Sequence, residues 1–150
     1  MAAAFAFLHH LAAFTLFAAV VVEFLWLKEQ PTPPLARRIL VVDAALGISA
    51  GVLLLVGLSR VFHFEKGASY YFHNWAFLTK FSLFVMLALL SIVPTREFFA
   101  WRRAMKQGQV PAVTPERMRT LRLILHLELA GIVVIILCAA LMAKGIGVIA

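Results

Sequence analysis

The chain has 150 residues, of which 63% are apolar and 14% are charged, and its mean hydropathy is +0.96. Soluble domains are nearer half apolar, so this composition excludes an ordinary soluble protein and indicates one that lies in a lipid bilayer. The formal net charge of +7 does not indicate nucleic-acid binding, because the basic residues sit in short connections between apolar runs, where they set membrane orientation. The length fits one domain, and a single cysteine excludes a disulfide framework within the chain.

Four apolar runs follow one another along the chain, at about residues 4–27, 39–64, 75–94 and 121–143. Each is long enough to cross a hydrocarbon core of about 30 Å at a rise of about 1.5 Å per residue. The first run lacks the basic segment of a cleavable signal, since its first charged residue is Glu23, so we expect it to be retained. The sequence thus predicts an all-α, polytopic membrane protein whose one domain, residues 1–150, is an antiparallel four-helix transmembrane bundle.

The connections between the runs contain helix-end signals. Residues Pro31-Thr32-Pro33-Pro34 end the first run, because proline cannot continue a helix. Residues 65–74 form a short connection, and residues 95–120 form the longest one. Within the longest connection, Thr114-Pro115-Glu116 predicts an N-cap followed by a first helical turn.

The basic residues are divided unequally between the two ends of this predicted bundle. The first and third connections together carry ten of them: Lys28, Arg37, Arg38, Arg96, Arg102, Arg103, Lys106, Arg117, Arg119 and Arg122. The opposite end has Lys66 and Lys144 in a loop and a tail, with Arg60 near a helix end. Under the positive-inside rule, we expect the first and third connections to face the cytoplasm and both termini to lie on the outer side.

Gly47 and Gly51 form a small-xxx-small pair in the second run, with Ala44 and Ala45 nearby. Small residues at this spacing let membrane helices approach one another closely. The pair therefore predicts compact helix packing.

One layer of polar residues is expected toward the outer end of the bundle. It contains four of the five histidines and two basic residues: His9, His10, Arg60, His63, His73 and Lys80. Neutral imidazole binds haem iron, copper and zinc, so all four histidines are candidate metal ligands. Adjacent His9 and His10 point about 100° apart on a helix, so they cannot both bind one metal. Arg60, Lys66 and Lys80 could pair with anionic groups such as porphyrin propionates. The alternative is that the histidines simply lie at headgroup depth.

A second layer is expected toward the cytoplasmic end and contains Glu23, Asp43, His126 and Glu128. Each of these residues is expected about 7–10 Å inside its helix end, by the rise per residue. Ionisable groups at such depth are costly in a membrane and are candidates for function, which here would be a proton path.

The alternative for this layer is structural ion pairing. Asp43 would be stabilised by the helix dipole and by nearby Arg37 and Arg38. Glu128 would pair with Arg122 or with another basic residue across the bundle.

Helical geometry relates some members of the two layers. Glu23 follows His9 by fourteen residues, which leaves the two within about 40° on one helix face. An inward-facing stripe from His9 to Glu23 would link the two layers. His126 and Glu128 are two residues apart and point to nearly opposite faces, so they do not form a dyad.

Several segments together resemble the bacterial membrane family DUF2214, and the resemblance covers nearly the whole chain. They are Leu8-His9, Glu23, Gly57-Leu58-Ser59-Arg60, Phe64-Glu65-Lys66-Gly67, Tyr70-Tyr71, Asn74, Phe77-Leu78-Thr79-Lys80, Ser91-Ile92-Val93-Pro94-Thr95 and Met142-Ala143-Lys144-Gly145. The resemblance implies a multi-pass protein of the bacterial inner membrane, whose termini would be periplasmic by the charge distribution. It implies no particular activity.

More distantly, the layout is similar to small four-helix haem proteins, namely the bacterial membrane protoporphyrinogen IX oxidases and the copper-resistance D group. His9 corresponds by position to a first-helix histidine that matters for haem in the oxidases, and Lys80 loosely matches a lysine that opens a later helix. The tryptophan and arginine pattern that follows the oxidase histidine is missing, and Glu23 stands near where an arginine would be expected. The similarity therefore implies haem b binding through His9 more than it implies the oxidase reaction.

Three functions remain open from the sequence. The first is a haem b-binding, redox-active membrane protein, an oxidoreductase if it is an enzyme, in which His9 holds the iron while Arg60 and Lys80 hold propionates. The second is a non-catalytic small subunit of a larger membrane complex. The third is a carrier of metal ions or small solutes that works as a homo-oligomer. The sequence contains no P-loop, Rossmann, HExxH or hydrolase-elbow motif, so it does not support nucleotide chemistry or serine hydrolysis.

Overall fold

The helices of the protein are given by a computed structural model, which describes residues 1–64 and 67–149, without the side chain of Phe64. In chain order they are α1 (Ala2–Trp26), α2 (Pro33–Ser59), α3 (Ala68–Phe72), α4 (Trp75–Lys106) and α5 (Pro115–Ala143), with a π-helical turn (Arg60–Phe64) after α2. Four helices of the described chain, α1, α2, α4 and α5, are long and apolar enough to cross a membrane. The predicted all-α, polytopic membrane fold is confirmed. Glu65 and Lys66, which belong to the predicted outer end, lie outside the described residues.

The helices extend well beyond the apolar runs that predicted them. Helix α2 begins at Pro33 rather than near residue 39, α5 begins at Pro115 rather than near 121, and α4 continues to Lys106 rather than ending near 94. Hydropathy marks only the section inside the hydrocarbon core, whereas a helix such as α4, about 48 Å long, continues into the headgroup region.

Two threonines cap the N-termini of α2 and α5, the helices that begin before their apolar runs. The side-chain oxygen of Thr32 accepts a hydrogen bond from the backbone N–H of Leu35 at 3.4 Å, and that of Thr114 accepts from Arg117 at 3.2 Å. A proline follows each cap, where its fixed φ favours the first turn and its missing N–H has no cost. The N-cap predicted at Thr114 is confirmed.

The four long helices form a closed ring. Helix α1 packs on α2 and α4 packs on α5, while α2 also contacts α4 and α1 contacts α5. We call the end that holds the start of α1, the π-helical turn, α3 and residues 144–149 the histidine end. We call the opposite end, with connections 27–32 and 107–114, the basic end.

Helix α5 packs closely against α4 at Gly131. A Cβ atom placed there would lie 2.6 Å from Cδ1 of Leu87, so no larger residue fits without movement of that leucine. A Cβ atom at Gly47 or Gly51 would meet nothing within 4 Å, so the close packing predicted for that pair is not made within this chain. Both faces of a membrane helix are apolar, and the glycine spacing therefore could not tell which face turns inward.

Asn74 fixes the start of α4 to the end of the chain. Its side-chain oxygen caps the helix by accepting from Phe77 N–H at 3.2 Å, and its amide group donates to the carbonyl of Ile146 at 3.4 Å. The N–H of Trp75 donates to the carbonyl of Gly147 at 2.8 Å. Gly147 has φ +109°, and a Cβ there would lie 2.7 Å from the Asn74 oxygen, so this turn requires glycine. Residues 146–149 are thereby held against the histidine end.

Candidate functional site

Three carboxyl side chains from three different helices converge inside the bundle. Glu23 of α1, Asp43 of α2 and Glu128 of α5 are 1%, 7% and 2% exposed, respectively. Glu23 lies close enough to the other two to interact with both electrostatically, and Asp43 interacts with Glu128 in the same way. We call these three residues the acidic cluster.

Helix α4 supplies the hydroxyl groups that contact the cluster. Ser91 Oγ donates a hydrogen bond to Oε1 of Glu128 at 2.6 Å, and Thr95 Oγ1 donates to Oδ1 of Asp43 at 2.7 Å. The two hydroxyls are four residues apart, so they lie on one face of α4 and reach toward α5 and α2. Each of the four spanning helices therefore places at least one polar side chain at this level.

A buried proline lies between these two hydroxyl residues. Pro94 is inside α4 and almost fully buried. Proline has no N–H, so the carbonyl of Leu90 loses its helical hydrogen-bond donor. That carbonyl is a further acceptor at the level of the acidic cluster.

Part of the cluster has no hydrogen-bond partner. Within the described residues, Oε1 of Glu23 and Oε2 of Glu128 are buried and accept no hydrogen bond, and no Lys or Arg side chain pairs with any of the three carboxyls. An ionised carboxylate without a cation partner is costly in a membrane interior, and neighbouring negative charges repel one another. Three ionised carboxylates at this place would therefore be costly.

Two members of the cluster lie farther from the start of their helices than the sequence predicted. Asp43 is ten residues from the start of α2, or about 15 Å, and Glu128 is thirteen residues from the start of α5, or about 20 Å. The estimate of about 7–10 Å was too small for these two residues because α2 and α5 begin earlier than the apolar runs, whereas Glu23 is three residues, or about 5 Å, from the end of α1.

The ion pairs predicted as an alternative for these carboxyls are not formed among the residues that the structure describes. Arg37, Arg38 and Arg122 are exposed, and the hydrogen-bond donors to Asp43 and Glu128 are hydroxyl groups instead. These basic side chains lie on the exposed surface, where their charges can be solvated.

The sequence predicted that His126 and Glu128 point to nearly opposite faces of α5, and this prediction is confirmed. His126 is exposed while Glu128 is buried, and the ring centroid of His126 lies 6.0 Å from that of Phe24 on α1. His126 therefore does not belong to the acidic cluster.

Packed and mostly apolar side chains lie between the acidic cluster and both ends of the bundle, although the buried Ser49 of α2 is polar. Toward the basic end the buried layer consists of Leu27, Ile39, Phe98, Trp101, Met118 and Leu121. Toward the histidine end the buried layer consists of Ala19, Leu46, Leu87 and Ile132. Apolar side chains therefore make up most of the buried surface on both sides of the cluster.

The stripe considered between His9 and Glu23 is apolar along its length. Both residues face the bundle, with Glu23 buried and His9 half-buried. The positions between them on this face are Ala12, Leu16, Ala19 and Val20, which offer no side-chain donor or acceptor. Over about 21 Å of helix, α1 alone supplies no polar link between the two layers.

The candidate histidine ligands are spread over the histidine end. His9 is half-buried, and its Cε1 lies 3.4 Å from where a Cβ of Gly57 would be. His10 is exposed, and its Nδ1–H donates to the carbonyl of Ala6 at 2.6 Å. His73 is also exposed and donates to the carbonyl of Ser69 at 2.8 Å. His63 is exposed, and Arg60 and Lys80 are half-buried.

Neither layer forms a metal-binding group of the usual kind. In residues 1–64 and 67–149, no three His, Cys, Asp or Glu side chains are close enough together to hold one metal ion. The histidines lie in different elements and mostly point outward, and the three carboxyls are spaced more widely than the ligands of one ion.

Several site residues were not identified from the sequence. No role was predicted for Ser91 and Thr95. Two hydroxyl residues one turn apart, on either side of a proline, could have indicated hydrogen-bond donors on one face of a membrane helix. Glu97 was also missed: its Oε2 accepts from Arg117 Nε at 2.8 Å, and its Oε1 accepts from Trp101 Nε1 at 3.1 Å. This ion pair joins α4 to α5 between the acidic cluster and the basic end.

Comparison with known proteins gives one match. The model of a family described as a predicted membrane protein, DUF2214, matches residues 1–147. No curated protein and no solved structure matches the chain at a significant level.

Proposed function

We propose that this chain, which belongs to the DUF2214 family of predicted membrane proteins, binds and exchanges protons at its acidic cluster within the bilayer. The observation that carries the proposal is Glu23, a carboxyl group that is 1% exposed, faces two other carboxyls and leaves one oxygen without a hydrogen-bond partner among the described residues. Ionisable groups held inside a membrane mark proton relays and ion pathways.

The spacing of the cluster favours protons over a divalent metal ion. A metal ion needs several ligand atoms within one coordination shell, and the three carboxyls do not form such a group. A proton needs only one carboxyl oxygen at a time. The clustered negative charge would still attract it, because each ionised carboxyl raises the affinity of its neighbours for a proton.

The hydroxyl groups of α4 would support this exchange. A hydroxyl both donates and accepts a hydrogen bond, so Ser91 and Thr95 can stabilise an ionised carboxylate or take a proton from a protonated one. Charge-assisted hydrogen bonds such as Ser91 to Glu128 stabilise the ionised form. The two hydroxyls donate to Glu128 and Asp43 and not to Glu23.

Protons would reach the cluster when the packed side chains on one side of it move apart. In this structure apolar side chains are packed on both sides of the cluster, so each side would have to open in turn for protons to pass. With the orientation expected from the positive-inside rule, the Phe98 layer separates the cluster from the cytoplasm. Motion of α4 near Pro94 would open that layer, since prolines are common sites of helix bending.

Infrared spectroscopy of the purified protein tests the proposal. Protonated carboxyl groups have a carbonyl stretch distinct from that of carboxylates, and we expect this band at neutral pH. The band should be lost in Glu23→Gln and kept in the control Glu29→Gln, which alters an exposed residue in the connection after α1. A wild-type spectrum without the band, or an unchanged band in Glu23→Gln, would contradict the proposal.

Haem b binding at the histidine end is the second candidate function. The observation in its favour is the difference between two adjacent histidines: His9 faces α2 beside Gly57, whereas His10 is exposed and bonded to its own helix. His9 would hold the iron, and Arg60, one turn beyond Gly57, would reach a propionate. Bound haem would supply one-electron redox chemistry.

An absorbance spectrum of protein from haem-replete cells tests this second candidate. We expect a Soret band that disappears in His9→Ala and persists in His10→Ala. A colourless wild-type protein, or equal loss of the band in the two variants, would exclude His9 as the specific ligand.

A further inference from the structure

A groove with several basic side chains lies between α2 and α4 at the basic end. It has a volume of about 400 Å³ and is lined by Arg37, Leu40, Arg102, Met105 and Lys106. An adjoining hollow of about 250 Å³ is lined by Phe99, Arg102, Arg103 and Lys106. Because Arg102 and Lys106 line both spaces, we treat them as one feature, the basic groove.

The cations of the basic groove have no acidic partner in the described chain. Arg37, Arg102, Arg103 and Lys106 form no salt bridge there, and the acid nearest along α4, Glu97, is already paired with Arg117. Four like charges side by side repel one another, and an anion placed between them would relieve that repulsion. The groove therefore favours an anionic occupant.

The walls of the groove combine charge with apolar surface. Leu40, Met105 and Phe99 line it beside the basic side chains. Below it on α4, Phe99 and Ile92 are 47% and 48% exposed on the outer surface of the bundle. The basic side chains thus lie where an apolar helix surface gives way to a polar connection, which is the depth of lipid headgroups.

We propose that the basic groove binds the headgroup of an anionic phospholipid, with one acyl chain lying along Phe99 and Ile92. Basic pockets between transmembrane helices bind anionic headgroups, and guanidinium groups pair with phosphate oxygens in two-point hydrogen bonds. An anion without a lipid tail would not use the apolar wall. The groove therefore fits a lipid better than it fits free phosphate.

The test compares two pairs of substitutions that remove the same charge from the same end of the bundle. The full chain is purified in a neutral detergent, and binding is followed by native mass spectrometry and by the shift of the thermal unfolding midpoint. The probes are phosphatidylglycerol, phosphatidylcholine with the same acyl chains, and inorganic phosphate. The groove variant is Arg102→Gln with Lys106→Gln, and its matched control is Arg119→Gln with Arg122→Gln, two exposed residues of α5 outside the groove.

We expect phosphatidylglycerol to bind the wild-type protein and the control pair with similar affinity and to bind the groove variant about tenfold more weakly, since each interfacial cation contributes substantially to anionic-lipid binding. Arg37→Gln, which removes a cation from the α2 side, should weaken binding as well. All variants alter exposed side chains, and circular dichroism checks that they remain helical.

Three results would overturn the proposal. Equal weakening in the groove variant and the control pair would show that binding follows overall surface charge. Equal binding of phosphatidylcholine would show that the anionic headgroup is not recognised. Displacement of phosphatidylglycerol by an equal concentration of inorganic phosphate would assign the groove to a free anion instead of a lipid.

Discussion

The two polar layers of this bundle differ in how their side chains are held. The acidic cluster is buried, draws one member from each of three helices and is contacted by hydroxyls from the fourth. At the histidine end, His10 and His73 are exposed and bond to carbonyl groups of their own helices, while His9 is half-buried against a neighbouring helix.

The difference follows from the solvent around each layer. Near the headgroups a histidine can be hydrated, so nothing requires it to find a partner in another helix. In the hydrocarbon core, where no water is present, a polar group must turn inward to be tolerated. A polar side chain that faces inward in the hydrocarbon core is therefore a stronger indication of function than a histidine near the headgroups. By this criterion the acidic cluster is the better candidate site.

The layer between the acidic cluster and the basic end can be broken at Phe98. Phe98 is 0% exposed, whereas its neighbour Phe99 is 47% exposed. We expect Phe98→Ala to lower the free energy of unfolding in detergent by about 3 kcal/mol and to speed proton exchange at the cluster, because it leaves a cavity in the closing layer. Phe99→Ala should change unfolding by less than about 1 kcal/mol. Equal effects of the two substitutions would show that Phe98 does not close the layer.

The hydroxyl groups of α4 bond to carboxyls of other helices, so removing them should cost more stability than removing hydroxyls that bond within their own helix. Ser91→Ala combined with Thr95→Val should destabilise the protein by about 2 kcal/mol or more, because two buried carboxyl oxygens lose their donors. The control pair, Thr15→Val with Ser59→Ala, removes hydroxyls that bond only to carbonyls of their own helix, and it should cost about 0.5 kcal/mol or less. Thermal unfolding in detergent measures both. Similar losses in the two pairs would mean that the carboxyls do not depend on α4.

Glycine substitutions are expected to change the stability of the protein by a smaller amount. Gly131→Ala should cost about 1 kcal/mol, since the new Cβ meets the flexible tip of Leu87 at the contact between α4 and α5. Gly47→Ala meets nothing within 4 Å, and the higher helix propensity of alanine should leave stability unchanged or slightly raised. Unfolding midpoints of the two variants measure the difference. A cost at Gly47 as large as that at Gly131 would indicate that Gly47 packs against another chain.

Much of the fold could be predicted from the sequence because hydropathy responds directly to the bilayer. The bounds of α1 were predicted to within two residues, and the Thr114 cap was predicted from its local pattern. The early turns of α2 and the last turns of α4 were missed, because their residues are polar and resemble loop composition.

The candidate site could be predicted only in part. The depth of a carboxyl along its helix can be read from the sequence, and so Glu23, Asp43 and Glu128 were placed in one layer. Their convergence depends on how each helix is rotated, which is decided by packing between surfaces that are apolar all round. For the same reason, the spacing of Gly47 and Gly51 did not show that this pair faces away from the other helices. The donors Ser91 and Thr95 were likewise found only in the structure.

Proton flux through reconstituted vesicles is the most direct test of the acidic cluster. Wild-type protein and a variant combining Glu23→Gln, Asp43→Asn and Glu128→Gln would be placed in liposomes that contain a pH-sensitive dye, and a membrane potential would be imposed. We expect the wild-type protein to carry protons well above the rate of protein-free vesicles, and the folded variant not to exceed that rate. Equal flux in the wild-type and variant vesicles, or no flux in either, would contradict the account.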